Sequence, residues 1–465
     1  FSSVVEMATI IVGAGPTGLT LATYLPGPII LLERESTIGG CHRVRRDTNG
    51  YFSEHGPRVY NKCYHNMKYV LQDLGLAWDD VFVKASFSPE YIDGRRWYSH
   101  LSVYEIFVLT LHALLLLVIP RYGRRTSLKD MGKHWNFSEK SMRYIDQVCR
   151  NSDGAGIDRY SLYEFLHGFY DHLGPFYEPK RALDTLLFPH WRQVLERKGV
   201  DIRCNTAVKS LIVEHGRAVG VRLQDGSDVR GSTVLFAVPP STLAGIVRRS
   251  NLREPWLDMY AERTEYDEYF SVTFHFPKYL SGKLLNHEGL KSTPWGLVYI
   301  DMSNYLTSEN TAVLSVAATR LDVPSPATGK TLHQCNMVEA LREILRQLPL
   351  TAKVKEHICR IVPSSGLHKG MHRWSDVDEA YVASADSPPM QCALTSCDGA
   401  YSIGCHNGRG WYAFTSFESA VANALAFVGS PAPITPWTLV YVARLMLFFF
   451  IFGMAYYLYT QSKSK

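Results

Sequence analysis

Residues 10–18 read Ile-Ile-Val-Gly-Ala-Gly-Pro-Thr-Gly, and a second apolar run ends at Glu33. This order of strand, glycine turn, helix, second strand and terminal acid is typical of a dinucleotide-binding fold. Gly13 permits the tight turn, Gly15 leaves the backbone open to a pyrophosphate, and Gly18 lets the helix pack on its strand. The positive end of that helix then meets the phosphates, while Glu33 accepts hydrogen bonds from a ribose hydroxyl. The pattern predicts a dinucleotide site; a glycine-rich turn in another kind of α/β protein is the alternative.

The composition is that of a globular protein. The chain has 465 residues, of which 46% are hydrophobic and 20% charged, so we expect two packed domains with sizeable cores. A net charge of +5 is small for this length and predicts no nucleic-acid partner. The nine cysteines form no C-x-x-C pair, which indicates reduced thiols rather than a disulfide framework or a zinc site. No pattern in the sequence indicates an oligomeric state.

An apolar segment at residues 437–460 contains one charge, Arg444, and about twenty apolar residues are enough to cross a bilayer. Trp437 and Tyr441 near one end and Tyr456 near the other are placed like interfacial aromatic belts. We therefore expect a single-pass C-terminal membrane anchor, a transmembrane helix that leaves the rest of the chain on the cytoplasmic side. A helix buried in the core is the alternative.

A second apolar stretch, residues 101–119, contains Glu105 and His112. A single crossing here would separate the glycine turn from the later dinucleotide-binding segments, so a transmembrane helix is not expected. Two alternatives remain, a helix buried in the protein or one that dips into the membrane face reached by the tail. Several basic residues follow, and they suit either a solvated face or anionic lipid headgroups: Arg121, Arg124, Arg125, Lys129 and Lys133.

The strand-like patterns of the first domain return twice later in the chain. A β-meander is expected from Val208, with turns at 215–217 and 225–227, and a short strand at 400–404 ends at a glycine. We therefore expect a discontinuous dinucleotide-binding domain with a second domain inserted in two pieces. The expected limits are 7–100, 190–245 and 391–430 for the first domain, and 101–189 and 246–390 for the second.

The remaining secondary structure follows from hydrophobic periodicity. Residues 271–276 alternate and predict a half-buried strand. Residues 181–198, 338–348 and 416–428 are predicted to be helical. The last of these carries small residues on one side, which suits close packing.

In these residues the chain resembles the flavin-containing amine oxidase superfamily, which includes amine oxidases, protoporphyrinogen oxidase and phytoene-type desaturases. Four blocks carry the resemblance: Gly13–Gly18 with Glu33, the pair Gly39-Gly40, the meander at 208–240, and the terminal block at 401–428. The block at 51–58, Tyr-Phe-Ser-Glu-His-Gly-Pro-Arg, is more similar to the protoporphyrinogen oxidase and desaturase branches. A C-terminal anchor is instead similar to monoamine oxidases.

The resemblance implies an α/β fold with a discontinuous Rossmann-like FAD-binding domain of the GR2 type and an interleaved α+β substrate domain. FAD would lie extended across the first domain. The region just after Trp374, which includes Asp378-Glu-Ala-Tyr381, contains no thiol for a flavin bond, so noncovalent FAD is expected. Relatives often carry an acid after the glycine equivalent to Gly404, whereas Cys405 follows it here. The residues implied to bind the cofactor are Gly13, Gly15, Pro16, Thr17, Gly18, Glu33, Arg34, Gly39, Gly40, Gly56, Pro57, Arg58, Val208, Gly404, Ser416 and Phe417.

Flavin oxidations need a substrate C–H bond placed against the flavin in a dry pocket. We therefore expect a pocket lined by aromatic side chains, with Arg58 as a cation beside the flavin or as a structural ion pair with Glu54 or Glu33. His55 and His406 are expected either to move protons or to be structural. The candidate catalytic residues are Arg58, Tyr381, Tyr401 and Trp411, with Tyr412 and Phe414 as further pocket candidates.

The sequence thus predicts a membrane-anchored FAD-dependent oxidoreductase. It would oxidise a C–N or C–C bond of a small lipophilic or amine substrate by hydride transfer, with residues 437–460, and in one alternative 101–119, in contact with the lipid bilayer. Its catalytic domain would face the cytoplasm. The alternatives are a catalytically degenerate relative with a binding or assembly role at a membrane, and an NAD-linked dehydrogenase.

Overall fold

The computed structural model describes residues 7–85, 88, 90–119, 121–171, 175–266, 268–285, 289–305, 309–378, 381–382, 384–385, 389–408, 416–430 and 439–463. The strands are β1 Thr9–Val12, β2 Ile29–Leu32, β3 Val44–Arg46, β4 Phe52–Glu54, β5 Tyr60–Asn61, β6 Phe82–Lys84, β7 Tyr91–Ile92, β8 Arg95–Arg96, β9 Phe176–Pro179, β10 Asp201–Arg203, β11 Val208–Glu214, β12 Arg217–Leu223, β13 Asp228–Arg230, β14 Thr233–Phe236, β15 Glu265–Tyr266, β16 Phe270–Phe276, β17 Val298–Asp301, β18 Ala312–Ala318, β19 Arg360–Pro363, β20 Leu367–Lys369, β21 Trp374–Asp376, β22 Tyr381–Val382 and β23 Ala400–Ser402. The helices are α1 Pro16–Tyr24, α2 His65–Asp73, α3 Trp78–Val81, α4 Val103–Val118, α5 Leu128–His134, α6 Glu139–Asp153, α7 Leu162–Asp171, α8 Leu187–Arg197, α9 Pro240–Arg249, α10 Pro255–Arg263, α11 Met337–Gln347, α12 Ala352–Lys355, α13 Phe417–Val428 and α14 Leu439–Lys463.

A five-stranded parallel sheet organises the first part of the fold, in the order β10-β2-β1-β14-β23. Its central strand, β1, pairs with β14 in register from Thr9 with Thr233 to Val12 with Phe236. Their apolar residues are buried, as expected where helices cover a parallel sheet. The predicted return of the chain at 400–404 is confirmed, since β23 pairs with β14. The carboxyl ends of β1, β2 and β23 therefore meet at one edge.

The predicted meander is also confirmed. Strands β11, β12 and β13 form an antiparallel sheet in sequence order. The first turn is made by His215 and Gly216, both at positive φ (50° and 78°). Such values in both turn residues suit the tight connection of two antiparallel strands. The limits that we predict for the two domains remain predictions.

The second part is built on a four-stranded antiparallel sheet, β17-β18-β16-β19. The prediction of a half-buried strand at 271–276 is wrong, because all seven residues of β16 are buried. The polar side chains of β16 are covered by the chain at 52–55. The Ser271 hydroxyl donates to the His55 carbonyl, and His275 Nε2 lies 3.0 Å from the Phe52 carbonyl oxygen.

The predicted helix at 181–198 is shorter in the structure, since α8 begins at Leu187. The residues before it form turns. Within them Asp184 Oδ2 accepts a 2.6 Å hydrogen bond from Arg46 Nε. The other two predicted helices are found within two residues of their predicted limits, as α11 and α13.

The apolar stretch at 101–119 forms α4, which is neither fully buried nor fully exposed. Val108 and Leu116 are in the core, whereas Val103 and Phe107 are 86% and 65% exposed. The polar residue Glu105 has a capping role in this apolar helix. Its Oε2 accepts a hydrogen bond from the Ser102 amide as part of a capping box.

Helix α14 packs against α4 and α7. Arg444 donates to the carbonyl oxygens of Leu116 and Leu117 at the end of α4, at 2.8 and 3.0 Å. In the described part of the chain, no helix has both the length and the apolar character that crossing a membrane requires. The predicted transmembrane helix at 437–460 is therefore not found there, and residues 431–438 lie outside the described part.

Candidate active site

A cavity of about 470 Å³ runs along the carboxyl edge of the parallel sheet. Its lining includes both the glycine turn after β1 and Gly404 after β23, so one cavity joins segments that are nearly 400 residues apart. Most of the residues predicted to bind a cofactor line it: Gly13, Gly15, Pro16, Thr17, Glu33, Arg34, Gly40, Gly56, Pro57, Arg58, Val208, Gly404, Ser416 and Phe417.

The middle of the cavity is bounded by glycine backbone. Helix α1 begins at Pro16, and its N-cap residue Gly15 offers no side-chain cap, so the first amides of the helix have no side-chain acceptor there. A Cβ atom at Gly40 would lie 2.8 Å from the Gly15 Cα atom, whereas a Cβ at Gly15 would meet nothing closer than 3.5 Å. Two backbones thus approach closely and leave room beside a helix N-terminus, which fits a diphosphate.

Two predicted glycines have a different place. Gly18 and Gly39 are not among the described residues that line the cavity. A Cβ at Gly18 would lie 1.9 Å from the Gly13 carbonyl oxygen, so Gly18 serves helix packing. Gly39 has a φ of 125° and donates from its amide to the Ala14 carbonyl oxygen at 2.8 Å. Both glycines shape the loop rather than face the cavity.

Glu33 is held in one orientation at the end of β2. Its Oε2 accepts a 2.8 Å hydrogen bond from the Ala14 amide, and its Oε1 accepts from the Glu35 amide at 3.0 Å. Arg43 Nη2 lies 3.2 Å from Glu33 Oε1. The ion-pair partner of Glu33 is therefore Arg43, and not Arg58 as one alternative expected. A fixed carboxylate at this edge suits a ribose hydroxyl.

One end of the cavity lies beside the meander, where Val208 begins β11. The residues here that sequence reasoning did not assign are Thr206, Ala207, Gln224, Thr242, Ile246 and Arg249. Arg249 Nε donates to the Lys209 carbonyl oxygen at 2.8 Å, which fixes a guanidinium at this end. No sequence signal marks these residues, because α9 and the meander meet here only in the fold.

The other end contains Gly56, Pro57 and Arg58. Tyr269 forms a wall here, since a Cβ at Gly56 would lie 2.9 Å from the Tyr269 ring. Arg58 Nη2 donates to the carbonyl oxygen of Cys41, which holds the guanidinium at the cavity.

Burial shifts the pKa of two nearby side chains, His42 and Glu54, in the direction that favours their neutral forms. Burial lowers the pKa of His42 well below its usual value, and the charge of Arg58 adds to this effect. Burial raises the pKa of Glu54 to about 7, partly offset by Arg58 and by the hydrogen bond that Ser315 donates to it at 3.0 Å. Glu54 is therefore a weak acid behind Arg58.

Tyr381 is the predicted aromatic residue that the structure places in the cavity wall. It is 8% exposed, and its hydroxyl lies 3.0 Å from the hydroxyl of Tyr260. Tyr401, by contrast, is not among the described residues of the cavity lining. Its ring contacts Phe427 with a centroid distance of 5.6 Å, because β23 turns this side chain towards α13. The prediction that Tyr401 lines the pocket is therefore wrong.

The two histidine candidates are buried, and His406 lines the cavity. His406 Nε2 lies 2.9 Å from the Ser402 hydroxyl, and burial lowers the pKa of His406 to about 3, so its ring is uncharged at neutral pH. His55 lies beneath the cavity wall at 1% exposure, next to Asp376. Trp411, Tyr412 and Phe414 lie outside the described residues.

Cys405 lines the cavity at the position where an acid was expected from the resemblance. Ser419 Oγ donates to its Sγ at 3.4 Å, and burial raises the pKa of the thiol to about 11. This end of the cavity therefore carries a neutral hydrogen-bonding group instead of a charge. Ser416 Oγ caps α13 by accepting from the Ser419 amide at 3.1 Å, which fixes the first turn of that helix at the cavity.

Sequence reasoning also missed Arg43 and Asp378, which line the cavity and are ion-paired to each other. A weak signal existed for Arg43, which follows the Gly39-Gly40 pair by three residues. Nothing in the sequence marked Asp378. A group of possible metal ligands, Glu268, Asp322 and His333, lies elsewhere on the surface.

Comparison with known proteins gives two family matches. Residues 177–424 match the flavin containing amine oxidoreductase family, and residues 11–74 match the NAD(P)-binding Rossmann-like domain. The chain is 24% identical over 275 residues to a 4,4'-diapophytoene desaturase (4,4'-diapolycopene-forming) from Methylomonas sp.. The match covers 49% of this chain, and the chain spans about half, 52%, of the length of that relative.

Two solved structures share the fold. An oxidoreductase from Methanosarcina mazei is similar with a TM-score of 0.60 and 14% identity, over 91% of this chain and 100% of that chain. Putrescine oxidase bound to putrescine is similar with a TM-score of 0.64 and 13% identity, over 91% of this chain and 98% of that chain. At these identities the likeness concerns the fold alone.

Proposed function

The chain belongs to the family of flavin containing amine oxidoreductases, and from this premise we propose that it is an FAD-dependent oxidoreductase. The proposed reaction is the oxidation of a C–N or C–C bond in a lipophilic or amine substrate. The observation that carries the proposal is the continuous cavity from the glycine turn after β1 to Gly404 after β23. When bound, FAD supplies the acceptor for the substrate hydride.

The residues of the cavity fit FAD along its length. Gly15, Gly40 and the first turn of α1 would hold the diphosphate, and Glu33 would hold the adenosine ribose. The meander around Val208 would face the adenine. Ser416 and the start of α13 would contact the ribityl chain. These assignments rest on the open glycine backbones and on the fixed carboxylate described above.

The side chains at the Gly56 end orient the substrate and exclude water. Tyr269 and Tyr381 would enclose an apolar or amine-bearing group, while Arg58 presents a fixed cation. Because burial favours the neutral forms of His42 and His406, these histidines would contribute little proton transfer to the reaction. This suits a reaction in which the protein positions and desolvates the reacting bond.

We propose noncovalent binding of FAD. Between Trp374 and Tyr381 the sequence contains no cysteine to form a bond with the flavin. Acid precipitation of the purified protein should therefore release the flavin into the supernatant. A yellow pellet would contradict this part of the proposal.

The decisive experiment is anaerobic reduction of the purified protein with amines, porphyrinogens and polyenes. We expect a yellow protein whose visible flavin absorbance bleaches with one of these classes. A stably folded but colourless protein would favour the degenerate relative with a binding role. Binding of a nicotinamide nucleotide without a flavin spectrum would favour the NAD-linked dehydrogenase.

We further propose that the exposed apolar side chains of α4 and α14 contact the surface of a lipid bilayer. Surface patches of this kind are uncommon on soluble monomers and often mark interaction sites. Arg444, the charged residue within the apolar part of α14, is turned to the end of α4 and so does not interrupt the patch. The cytoplasmic orientation of the catalytic domain is likewise a proposal. The exposed side chains are Val103, Phe107, Leu114, Val118, Met446, Phe448, Phe449, Phe450, Ile451 and Phe452.

Co-sedimentation with phosphatidylcholine vesicles, with and without phosphatidylserine, tests the lipid contact. The double variant Phe448→Ser, Phe449→Ser should lose vesicle binding. Met371→Ser is the matched control, since Met371 is 90% exposed but lies away from both helices in sequence. Equal vesicle binding by wild type and the double variant would reject the proposal.

A further inference from the structure

Five side chains of alternating charge form an ion-pair network that starts at the cavity. Arg43 Nη2 lies 3.2 Å from Glu33 Oε1, and Arg43 Nη1 lies 2.7 Å from Asp378 Oδ1. The second oxygen of Asp378, Oδ2, lies 2.7 Å from Arg45 Nε. Arg45 Nη2 in turn lies 3.2 Å from Glu35 Oε2. Asp378 is thus the central carboxylate, shared by two guanidinium groups.

The inner part of this network is almost inaccessible to water. The side chains of Arg43 and Asp378 are each 3% exposed, and that of Glu33 is 7% exposed. In such surroundings a charge that loses its partner is costly, so each group strongly favours the paired arrangement. The remaining donor of Arg43, Nε, binds the Thr37 carbonyl oxygen at 2.9 Å. The guanidinium is therefore fixed by hydrogen bonds from Nε and Nη1, while Nη2 lies at ion-pair distance from Glu33 without a hydrogen bond to it.

Asp378 is itself held by its neighbours in sequence. Its amide donates to Asp376 Oδ1 at 2.9 Å, and the carbonyl oxygen of Val377 accepts from Arg34 Nη2 at 2.7 Å. Val377 and Asp378 both line the cavity. A segment distant in sequence from the glycine turn therefore lines the same cavity as Glu33.

We propose that Asp378 is a positioning residue for the ribose of the bound dinucleotide. It orients Arg43, which in turn keeps the Glu33 carboxylate directed at the ribose hydroxyls. This inference rests on the proposed function only in that the cavity binds an adenine dinucleotide. Asp378 lies far from the glycine motif and its terminal acid in the sequence, and that motif alone does not predict a role for it.

Calorimetric titration of the flavin-depleted protein with ADP, 2′-deoxy-ADP and 3′-deoxy-ADP tests the proposal without any reaction. Wild-type protein should prefer ADP to at least one deoxy analogue by about tenfold or more, as expected when a charged acceptor loses its hydrogen bond. Asp378→Asn should bind ADP about tenfold more weakly and lose most of that preference. If Asp378 were merely structural, the substitution would weaken the binding of all three nucleotides equally, and that result would overturn the proposal.

Arg45→Gln is the matched control. It removes the other partner of Asp378 but leaves the path from Asp378 through Arg43 to Glu33 intact. We expect this variant to keep the wild-type preference for ADP. A loss of the preference as large as that in Asp378→Asn would overturn the specific role of Asp378.

Two further results are informative. Should Asp378→Asn not fold, Arg43→Lys carries the same test, because an ammonium group cannot bridge two carboxylates as a guanidinium does. Its retention of the wild-type ADP preference would overturn the proposal. Wild-type protein that binds neither ADP nor FAD would overturn the proposed function itself, whereas an unchanged preference in Asp378→Asn would overturn the positioning role alone.

Discussion

His55 Nδ1 lies 3.8 Å from Asp376 Oδ2, and neither side chain is exposed to solvent. The pair joins the residue before Gly56, at the cavity, to the end of β21. Burial alone would raise the pKa of Asp376, but its hydrogen bonding and the charge of His55 outweigh burial and lower the pKa below 3.8. A lowered carboxyl pKa stabilises the fold above the unfolded value, and this stabilisation is lost as the pH falls through the folded value.

We predict that Asp376→Asn destabilises the protein by about 3–5 kcal/mol at pH 7, the usual cost of removing one partner of a buried pair. Urea denaturation measures this. The difference from wild type should shrink as the pH falls below about 4. Asp228→Asn, in the exposed pair with Arg222, is the control and should cost about 1 kcal/mol or less. Equal losses in both variants would contradict the prediction.

The buried Glu54 predicts a pH effect of the opposite sign. Its pKa is raised from 4.5 to about 7, chiefly by burial, so the folded state favours the protonated acid. The stabilisation is present below the unfolded pKa and is lost as the pH rises through about 7. This rise in the pKa of Glu54 corresponds to about 3 kcal/mol of folding stability. Glu54→Gln should therefore lose less stability than wild type between pH 5 and pH 8 in thermal unfolding. Parallel curves for the two proteins would refute this.

The glycine turn allows folding and cofactor binding to be separated. Gly15→Ala should fold with nearly normal stability, because a Cβ there meets nothing closer than 3.5 Å. Its methyl group would face the diphosphate, so FAD affinity should fall at least tenfold, or about 1.4 kcal/mol. Flavin fluorescence on titration measures the affinity. Gly18→Ala is the contrasting variant and should fail to fold, since its Cβ would lie 1.9 Å from the Gly13 carbonyl oxygen.

The two tyrosines predicted for the pocket should behave differently. Tyr381→Leu should slow anaerobic flavin reduction by tenfold or more, because Tyr381 lines the cavity. Tyr401→Leu should leave the reduction rate near wild type and cost about 1–3 kcal/mol of stability, since its ring packs on Phe427. Stopped-flow absorbance and urea denaturation measure the two effects. A slow Tyr401→Leu enzyme of normal stability would reverse our assignment.

Much of the fold could be predicted because the signals are local. The glycine turn, the meander from Val208 and the strand at 400–404 are specified by residues adjacent in sequence, and all three are found. Local patterns failed where burial comes from elsewhere. The alternation of β16 suggested a solvent-facing side, but the chain at 52–55 covers its polar residues.

Less of the site could be predicted, because many of its contacts join residues that are distant in sequence. The motif identified Glu33, but it could not identify Asp378, which reaches Arg43 from 335 positions away. The direction of Tyr401 likewise depends on the packing of β23 against α13, not on the composition of its segment.

The sequence by itself determined that the chain forms a glycine turn and a parallel sheet with an acidic residue at its edge, because backbone freedom and hydrophobic periodicity act between near neighbours. Only the tertiary structure decided which charged side chains pair around Asp378, which aromatic residue faces the cavity, and which carbonyl groups accept hydrogen bonds from Arg444. These contacts depend on the packing of distant segments, where desolvation makes pairing decisive.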